Sequence, residues 1–244
     1  MKHETDTHNT SSDKKTTISI PAAIVTGAVI IALALIFALS GTNGAPKQGT
    51  PTPDSTTPTQ APASVTTIRP TDYVRGNTTS ADVAIIEYSD SDCTYCQKFH
   101  PTLQQVISED KNVAWVYRFY PLSIHPNAYT ESLALKCAAD LGGNDTFWKY
   151  LDTVINVTLN ADAKSNVALT TYATAEGIDA ATFKSCLANP ATSAAIDADI
   201  AEAQSIGAQG TPYSIVVNLK TGKQIAIPGA YPIEDVKDAI ESVR

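Results

Sequence analysis

The sequence predicts an α/β domain whose sheet is interrupted by a helical insertion. An apolar, β-branched run at residues 83–88 precedes a helix-compatible segment and a second β-rich run at residues 113–120. Helical periodicity follows over about residues 122–207. Within it, Tyr129, Leu133, Cys137 and Leu141 recur at i+4 until Gly142-Gly143, Asp179 is a predicted helix N-cap, and Gly207 is predicted to follow a helix end. Residues 213–227 then return to a strand pattern with a turn between its two halves. Two parts of one sheet are therefore expected to flank a group of helices.

The N-terminal part of the chain predicts a tail, a membrane anchor and a spacer. Residues 1–17 are polar without apolar periodicity, which indicates a disordered cytoplasmic tail. Residues 18–40 contain no charged residue, and as a helix their apolar run would span about 30 Å, the thickness of a bilayer core. Residues 41–68 are rich in Thr and Pro and are expected to form an extended, disordered linker.

The apolar run is longer than the h-region of a secretory signal, which has about 7 to 15 residues, so a retained anchor is predicted. Cleavage near residues 38–40 is the alternative. Lys2, Lys14 and Lys15 precede the run and only Lys47 follows it closely, which places the tail in the cytoplasm. We therefore expect a single-pass protein of the cell membrane whose domain is extracytoplasmic.

Composition excludes one class of partner and indicates a compartment. A net charge of −8 provides no basic surface for nucleic acid. The chain has four cysteines, which fit an oxidising compartment where a structural bridge persists beside a reactive pair.

The most informative motif is Cys93-Thr94-Tyr95-Cys96, at the predicted start of the first helix. Unpaired backbone N–H groups and the positive end of the helix dipole would stabilise a thiolate at Cys93. A lowered pKa makes that sulfur the attacking and leaving group of disulfide exchange, with Cys96 as its buried partner. Two alternatives are a zinc site, which lacks further ligands at suitable spacing, and a purely structural disulfide.

Several stretches together resemble the thioredoxin-like domain of the DsbA-like thiol:disulfide oxidoreductases. The resemblance covers about residues 72–244 in the order which that family has: residues 72–77, residues 85–90 with the Cys-x-x-Cys motif, residues 120–128, residues 210–213 and the C-terminal helix. Thr94 departs from the pattern, because many relatives have proline between the cysteines. The resemblance implies a thioredoxin-like fold over residues 69–244, with the helical insertion at about residues 122–207 and with no cofactor or metal.

The resemblance also implies roles around the motif. Thr211-Pro212 would form a cis peptide bond facing the cysteines, so that the backbone of Thr211 pairs with an extended client and lines a substrate groove with Thr94 and Tyr95. An ordinary trans-proline loop is the alternative. Glu87 would be an inward-facing acid that accepts a proton from Cys96 through water. Alternation along the strand leaves an outward-facing Glu87 equally open.

Cys137 and Cys186 fall on apolar helix faces inside the predicted insertion. A bridge between them would close a loop of about 50 residues, worth about 4 kcal/mol in the chain-entropy model. Two free buried thiols are the alternative, but outside the cytoplasm the bridge is favoured. His125 is predicted to be a turn or cap residue and not a catalyst.

The predicted function is that of a membrane-anchored, extracytoplasmic thiol:disulfide oxidoreductase, an enzyme that introduces disulfides into secreted or surface proteins. Its partners would be reduced client proteins and, by resemblance, a quinone-coupled membrane protein that reoxidises the Cys93–Cys96 pair. A monomer is expected. The alternatives are a disulfide reductase or isomerase, and a tethered, non-catalytic binding module of the same fold.

Overall fold

The computed structural model describes residues 65, 67–77, 79–157 and 164–244. The predicted tail and membrane anchor lie outside these residues, as does most of the predicted linker. Among the residues described, no helix is long and apolar enough to cross a membrane.

The described chain contains a five-stranded sheet of order β1-β3-β2-β4-β5. β2 and β3 are parallel, as the strand–helix–strand pattern predicts, and the other neighbouring pairs are antiparallel. The predicted C-terminal hairpin is confirmed as β4 and β5, whereas β1 is a short edge strand that periodicity did not identify. The strands are β1 Tyr73–Gly76, β2 Val83–Ser89, β3 Val113–Phe119, β4 Tyr213–Asn218 and β5 Gln224–Pro228.

Helix α1 follows β2, helices α2 to α5 form the insertion between β3 and β4, and α6 ends the chain. The sequence predicts that Gly142-Gly143 ends a helix. In the structure Gly143 adopts a φ of 80°, in the left-handed region, and a second helical segment begins directly after this kink. The helices are α1 Thr94–Glu109, α2 Ala128–Asn156, α3 Asn166–Ala175, α4 Ala180–Leu187, α5 Pro190–Ser205 and α6 Ile233–Val243.

Two predicted helix ends are confirmed. The Asp179 carboxylate accepts a hydrogen bond from the backbone N–H of Thr182 and so caps the start of α4. Gly207 follows the end of α5 with a φ of 82°, the conformation expected after a helix C-terminus.

The predicted apolar face of α2 is only partly correct. Cys137 is fully buried, but Tyr129 and Leu141, the outer members of the predicted series, are each 40% exposed. The helix instead buries Leu135 together with small residues such as Ala138. Small side chains allow close packing, and hydropathy periodicity gives them little weight.

The sheet is buried on both faces, which explains why β2 is a nearly continuous apolar run. Because side chains alternate along a strand, Ile85 packs in the larger core with α1, α6 and the insertion, while Ile86 packs on the other face beside the end of α5. Glu87 has the same parity as Ile85. Alternation therefore turns Glu87 inward, towards the helix that begins at the Cys-x-x-Cys motif.

Candidate active site

Cys93 is the N-cap residue of α1, and Cys96 lies in the first turn of that helix. Both are free thiols. The backbone N–H of Cys93 donates to the carbonyl oxygen of Asp90 at 3.1 Å, which closes the turn between β2 and the helix. The role of attacking sulfur predicts that Cys93 is the exposed cysteine, but this residue is only 4% exposed, against 0% for Cys96. The two cysteines therefore differ little in accessibility, and the main difference between them is in the pKa of their thiols.

The surroundings of Cys93 lower the pKa of its thiol to about 5. The largest cause is a hydrogen bond from the Cys96 thiol, opposed by burial and reinforced by Thr211 and by the backbone N–H groups of Cys96 and Tyr95. The sequence predicts a helix terminus as the main cause. The terminus does contribute, but the neighbouring thiol contributes more.

Cys96 shows the opposite effect. Burial raises the pKa of its thiol well above the ordinary value, and donation to Cys93 and the nearby carboxyl of Glu87 raise it further. The Ser89 hydroxyl opposes these effects by hydrogen bonding to Cys96. Within one motif, the first sulfur is thus stabilised as a thiolate and the second as a thiol.

Glu87 is 1% exposed and lies behind the cysteines, which decides between the two orientations that the sequence leaves open. The Ser89 hydroxyl donates to Oε1 at 2.8 Å, and the indole N–H of Trp115 donates to Oε2 at 2.9 Å. Burial raises the pKa of Glu87 to about 7, with the two hydrogen bonds acting against it. Ser89 therefore links Glu87 to Cys96, in the place where water is expected from the sequence.

The peptide bond between Thr211 and Pro212 is cis, and this segment lies opposite the motif. Cys93 Sγ is 3.4 Å from the carbonyl oxygen of Thr211, to which the thiol can donate. A depression of about 350 Å³ lies beside the segment, bordered by residues 207–213 and by Pro228 and Gly229. The structure thus places an accessible backbone segment and a surface groove next to the reactive sulfur.

Thr94 and Tyr95 are both exposed, and Tyr95 is 62% exposed. The ammonium of Lys98 lies 5.7 Å from the centroid of the Tyr95 ring and thus interacts with the ring face. His100 points away, towards Asp152, with 2.7 Å between its Nε2 and Oδ1 of Asp152. The two residues between the cysteines are therefore available to a docked partner.

The turn before the motif contains functional residues that the sequence interpretation missed. The sequence predicts a polar turn at residues 89–92, and in the structure all four residues are buried. Oδ2 of Asp90 lies 2.7 Å from Nδ1 of His125, and Oδ1 of Asp92 accepts from the buried Lys164 ammonium at 2.8 Å. The signal in the sequence was the density of acidic residues directly before a redox motif. Their cationic partners come from the distant insertion, so no local pattern reveals them.

The four cysteines form two separate pairs. Cys137 on α2 and Cys186 on α4 are joined by a disulfide, 49 residues apart in sequence, while Cys93 and Cys96 are free. Among the described residues, no three His, Cys, Asp or Glu side chains are grouped as metal ligands would be.

Comparison with protein families and known structures gives one consistent fold. Residues 68–241 match the family Thioredoxin_4, described as thioredoxin. The fold is similar to that of DsbA2 from Pseudomonas aeruginosa, with a TM-score of 0.59 and 21% identity over 73% of this chain and 97% of that one. It is also similar to alpha-DsbA1 from Wolbachia pipientis, with a TM-score of 0.61 and 17% identity over 72% and 92% of the two chains. The predicted thioredoxin-like fold with a helical insertion is confirmed.

Two curated relatives are similar in sequence. The Na(+)/H(+) antiporter NhaA 1 of Salinispora arenicola is 28% identical over 172 residues, which cover 70% of this chain and 24% of the relative. NhaA 3 of Salinispora tropica is 29% identical over the same length and the same shares. The chain spans about a quarter of the length of these relatives, so the match concerns one part of each antiporter.

Proposed function

The chain belongs to the thioredoxin family Thioredoxin_4, as a DsbA-like thiol:disulfide oxidoreductase, and on that premise we propose that it works as an oxidase. It would introduce disulfides into client proteins by passing on the Cys93–Cys96 disulfide. The observation that supports this direction is the lowered pKa of Cys93, about 5. A stabilised thiolate favours the reduced form of the pair, and a pair that prefers to be reduced is a strong oxidant.

The reaction begins with the Cys93–Cys96 disulfide and a client dithiol. A client thiolate attacks Cys93 Sγ, the bond between Cys93 and Cys96 breaks, and Cys96 leaves as a thiolate. The second client thiolate then attacks the client sulfur bound to Cys93, and Cys93 leaves as a thiolate. The client loses two electrons and the enzyme pair gains them.

The Cys96 thiolate must take up a proton after the first step, because burial raises its pKa well above the ordinary value. Protonated Glu87, whose pKa is about 7, can deliver that proton by donating to the Ser89 oxygen, 2.8 Å from its carboxyl group, while the Ser89 hydroxyl passes its own proton to Cys96. When the pair is oxidised again, the same route removes the proton from Cys96. Glu87 and Ser89 are therefore proposed to act as a proton relay to the buried sulfur.

Client binding is proposed to use the segment at Thr211 and Pro212 and the groove beside it. An extended client strand can pair with the exposed backbone there while its cysteine meets Cys93. Tyr95 and Ile124, which are 62% and 79% exposed, add apolar surface near the motif. Recognition through backbone and apolar contacts would accept many unfolded clients, since neither depends on one particular sequence.

The location of the enzyme is also a proposal. The sequence supports a single-pass anchor at residues 18–40 with the catalytic domain outside the cytoplasm. Alkaline carbonate extraction of the full chain should leave it in the membrane fraction, and external protease should degrade the domain. Release into the supernatant would identify a cleaved signal instead of an anchor. The reoxidising partner would be a membrane protein coupled to quinone.

The reduction potential of the Cys93–Cys96 pair tests the direction of transfer. Equilibration with glutathione buffers should give a value between about −120 and −180 mV, the values of DsbA and protein disulfide isomerase. A value near about −270 mV, that of thioredoxin, would show a reductase and contradict the proposal. A non-catalytic binding module would instead be supported by two results together. The wild type would show no exchange activity, and the Cys93→Ser variant would bind clients as well as the wild type does.

A further inference from the structure

The reactive sulfur lies next to two buried carboxylates. Asp90 and Asp92 belong to the turn that precedes Cys93, and they are 0% and 5% exposed. The turn is fixed to the motif because the Cys93 N–H donates to the Asp90 carbonyl, and the Asp92 N–H donates to Oδ1 of Asp90 at 2.9 Å. Negative charges this close would disfavour a thiolate at Cys93 if nothing compensated them.

Each carboxylate has a cationic partner from the helical insertion. His125 lies before α2, and its Nδ1 is 2.7 Å from Oδ2 of Asp90. Lys164 lies before α3, and its Nζ is 2.8 Å from Oδ1 of Asp92 and 2.8 Å from Oε1 of Glu131. Lys164 is 2% exposed, and a buried ammonium is stable only when it is paired.

We propose that His125 and Lys164 are positioning residues of the exchange reaction, which neutralise the acidic turn so that the Cys93 thiolate is not repelled. This inference rests on the proposed function. It gives the helical insertion a role in the chemistry of Cys93. The two cations differ in one respect, since an imidazolium loses its charge near neutral pH and an ammonium does not.

The difference makes the redox balance sensitive to pH through His125. The groups that face its imidazole are Asp90, Asp92 and Cys93. Burial lowers the pKa of His125, but the hydrogen bond and charge of Asp90 raise it above the ordinary value overall. The negative charge of a Cys93 thiolate stabilises the imidazolium of His125, whereas the Cys93–Cys96 disulfide is uncharged and does not. The pKa of His125 should therefore be higher in the reduced enzyme, and oxidation should release part of a proton.

The test compares glutathione equilibrium constants of the full chain from pH 5.5 to 8.5. His125→Asn should make the pair less oxidising by about three- to tenfold at the acidic end. This difference should disappear as the pH rises through the pKa of His125. His100→Asn is the matched control, because His100 also pairs with an aspartate, Asp152, which lies outside the acidic turn. It should leave the equilibrium constant unchanged at every pH.

Two further measurements separate charge from structure. Lys164→Gln should make the pair less oxidising at every pH in this range, whereas Lys136→Gln, which breaks the exposed pair with Asp140, should not. An NMR titration of the His125 imidazole should give a higher pKa in the reduced wild type than in the oxidised one. Equal values in the two redox states, or an effect of His125→Asn that does not vary with pH, would overturn the inference.

Failure of the inference and failure of the proposed function give different results. If the wild type oxidises a dithiol peptide but His125→Asn and His100→Asn have equal effects on the equilibrium constant, the role of the cations is contradicted and the proposed function is not. A wild type that oxidises no peptide contradicts the proposed function. The NMR comparison still decides the linkage in that case, because it needs only chemically reduced and oxidised protein.

Discussion

Two thiols one helical turn apart differ because their polar neighbours differ. The Cys96 thiol and backbone N–H groups donate hydrogen bonds to Cys93 and thereby favour its thiolate. Cys96 is fully buried beside Glu87, which favours its thiol. The donors to Cys93 belong to the motif itself, whereas Glu87 comes from β2, so the motif alone predicts that the pair reacts but not how strongly Cys96 keeps its proton.

At the residue scale, Ser89→Ala tests the proton relay. The substitution removes the hydroxyl that hydrogen bonds to both Cys96 and Glu87. We expect reoxidation of the reduced pair by a small disulfide to slow by about a hundredfold, the low end of what one acid–base group contributes. Stopped-flow fluorescence or quenched alkylation would measure this rate. Alkylation of Cys93 by iodoacetamide should keep its wild-type rate, and an unchanged reoxidation rate would contradict the relay.

Also at the residue scale, Glu87 should make folding stability depend on pH. Its folded pKa of about 7 lies above the ordinary value of 4.5, so the folded protein retains a proton that the unfolded chain has lost. Its contribution is fully present below pH 4.5 and disappears as the pH rises through 7. At about 1.4 kcal/mol per unit, the reduced wild type should lose about 3 kcal/mol relative to Glu87→Gln over this interval.

Urea denaturation of both reduced proteins at several pH values measures this loss. The difference between them isolates Glu87, because Cys93 titrates in both proteins and with the opposite sign. Parallel pH profiles would show that folding does not raise the pKa of Glu87 and would contradict this prediction.

At the element scale, the insertion is attached to the sheet and to itself by specific contacts. The Asn144 side chain, directly after the Gly143 kink, accepts from the Val74 N–H and donates to the Val74 carbonyl, both at 2.8 Å. Its amide thereby takes the place of a neighbouring strand at the edge of β1. The glycine that sequence periodicity identifies as a helix end is thus also the bend that presents Asn144 to the sheet.

The Cys137–Cys186 disulfide, which joins α2 to α4, provides a second test at this scale. Replacing both cysteines with alanine should lower the free energy of unfolding by about 2–4 kcal/mol, since the unfolded chain regains the entropy of a long loop. Urea denaturation would measure it. The Cys93 thiolate absorbance at 240 nm should titrate as in the wild type. A change in that titration would show that the bridge also controls the active site.

At the scale of the whole molecule, redox state and stability are linked. The folded pKa of Cys93, about 5, lies below the ordinary value of 9.0. Its contribution is fully present above pH 9 and is lost as the pH falls through 5. At pH 8 the free energy of unfolding of the reduced protein should therefore exceed that of the oxidised protein. The difference should be about 1.4 kcal/mol for every 30 mV by which the folded protein makes the pair more oxidising than in the unfolded chain.

The same comparison at pH 4 should show this advantage much reduced. An oxidised form that is the more stable one at pH 8 would contradict the oxidase direction, because the folded protein would then favour the disulfide.

The sequence by itself determined the local features of this protein. The parallel β2–α1–β3 unit, the hairpin of β4 and β5, the caps at Asp179 and Gly207 and the reactive Cys-x-x-Cys pair all depend on residues close together in the chain. Periodicity, turn chemistry and helix polarity act over a few residues, so the sequence shows their effects directly.

Only the tertiary structure decided the contacts that control the reaction. It turned Glu87 inward, placed Ser89 between that acid and Cys96, and brought His125 and Lys164 to the acidic turn. His125 and Lys164 are tens of residues from the turn, and the charges of these groups matter only because burial removes the water that would screen them. Burial of a polar group is a property of the assembled fold, whereas a local pattern of polar residues predicts exposure to solvent.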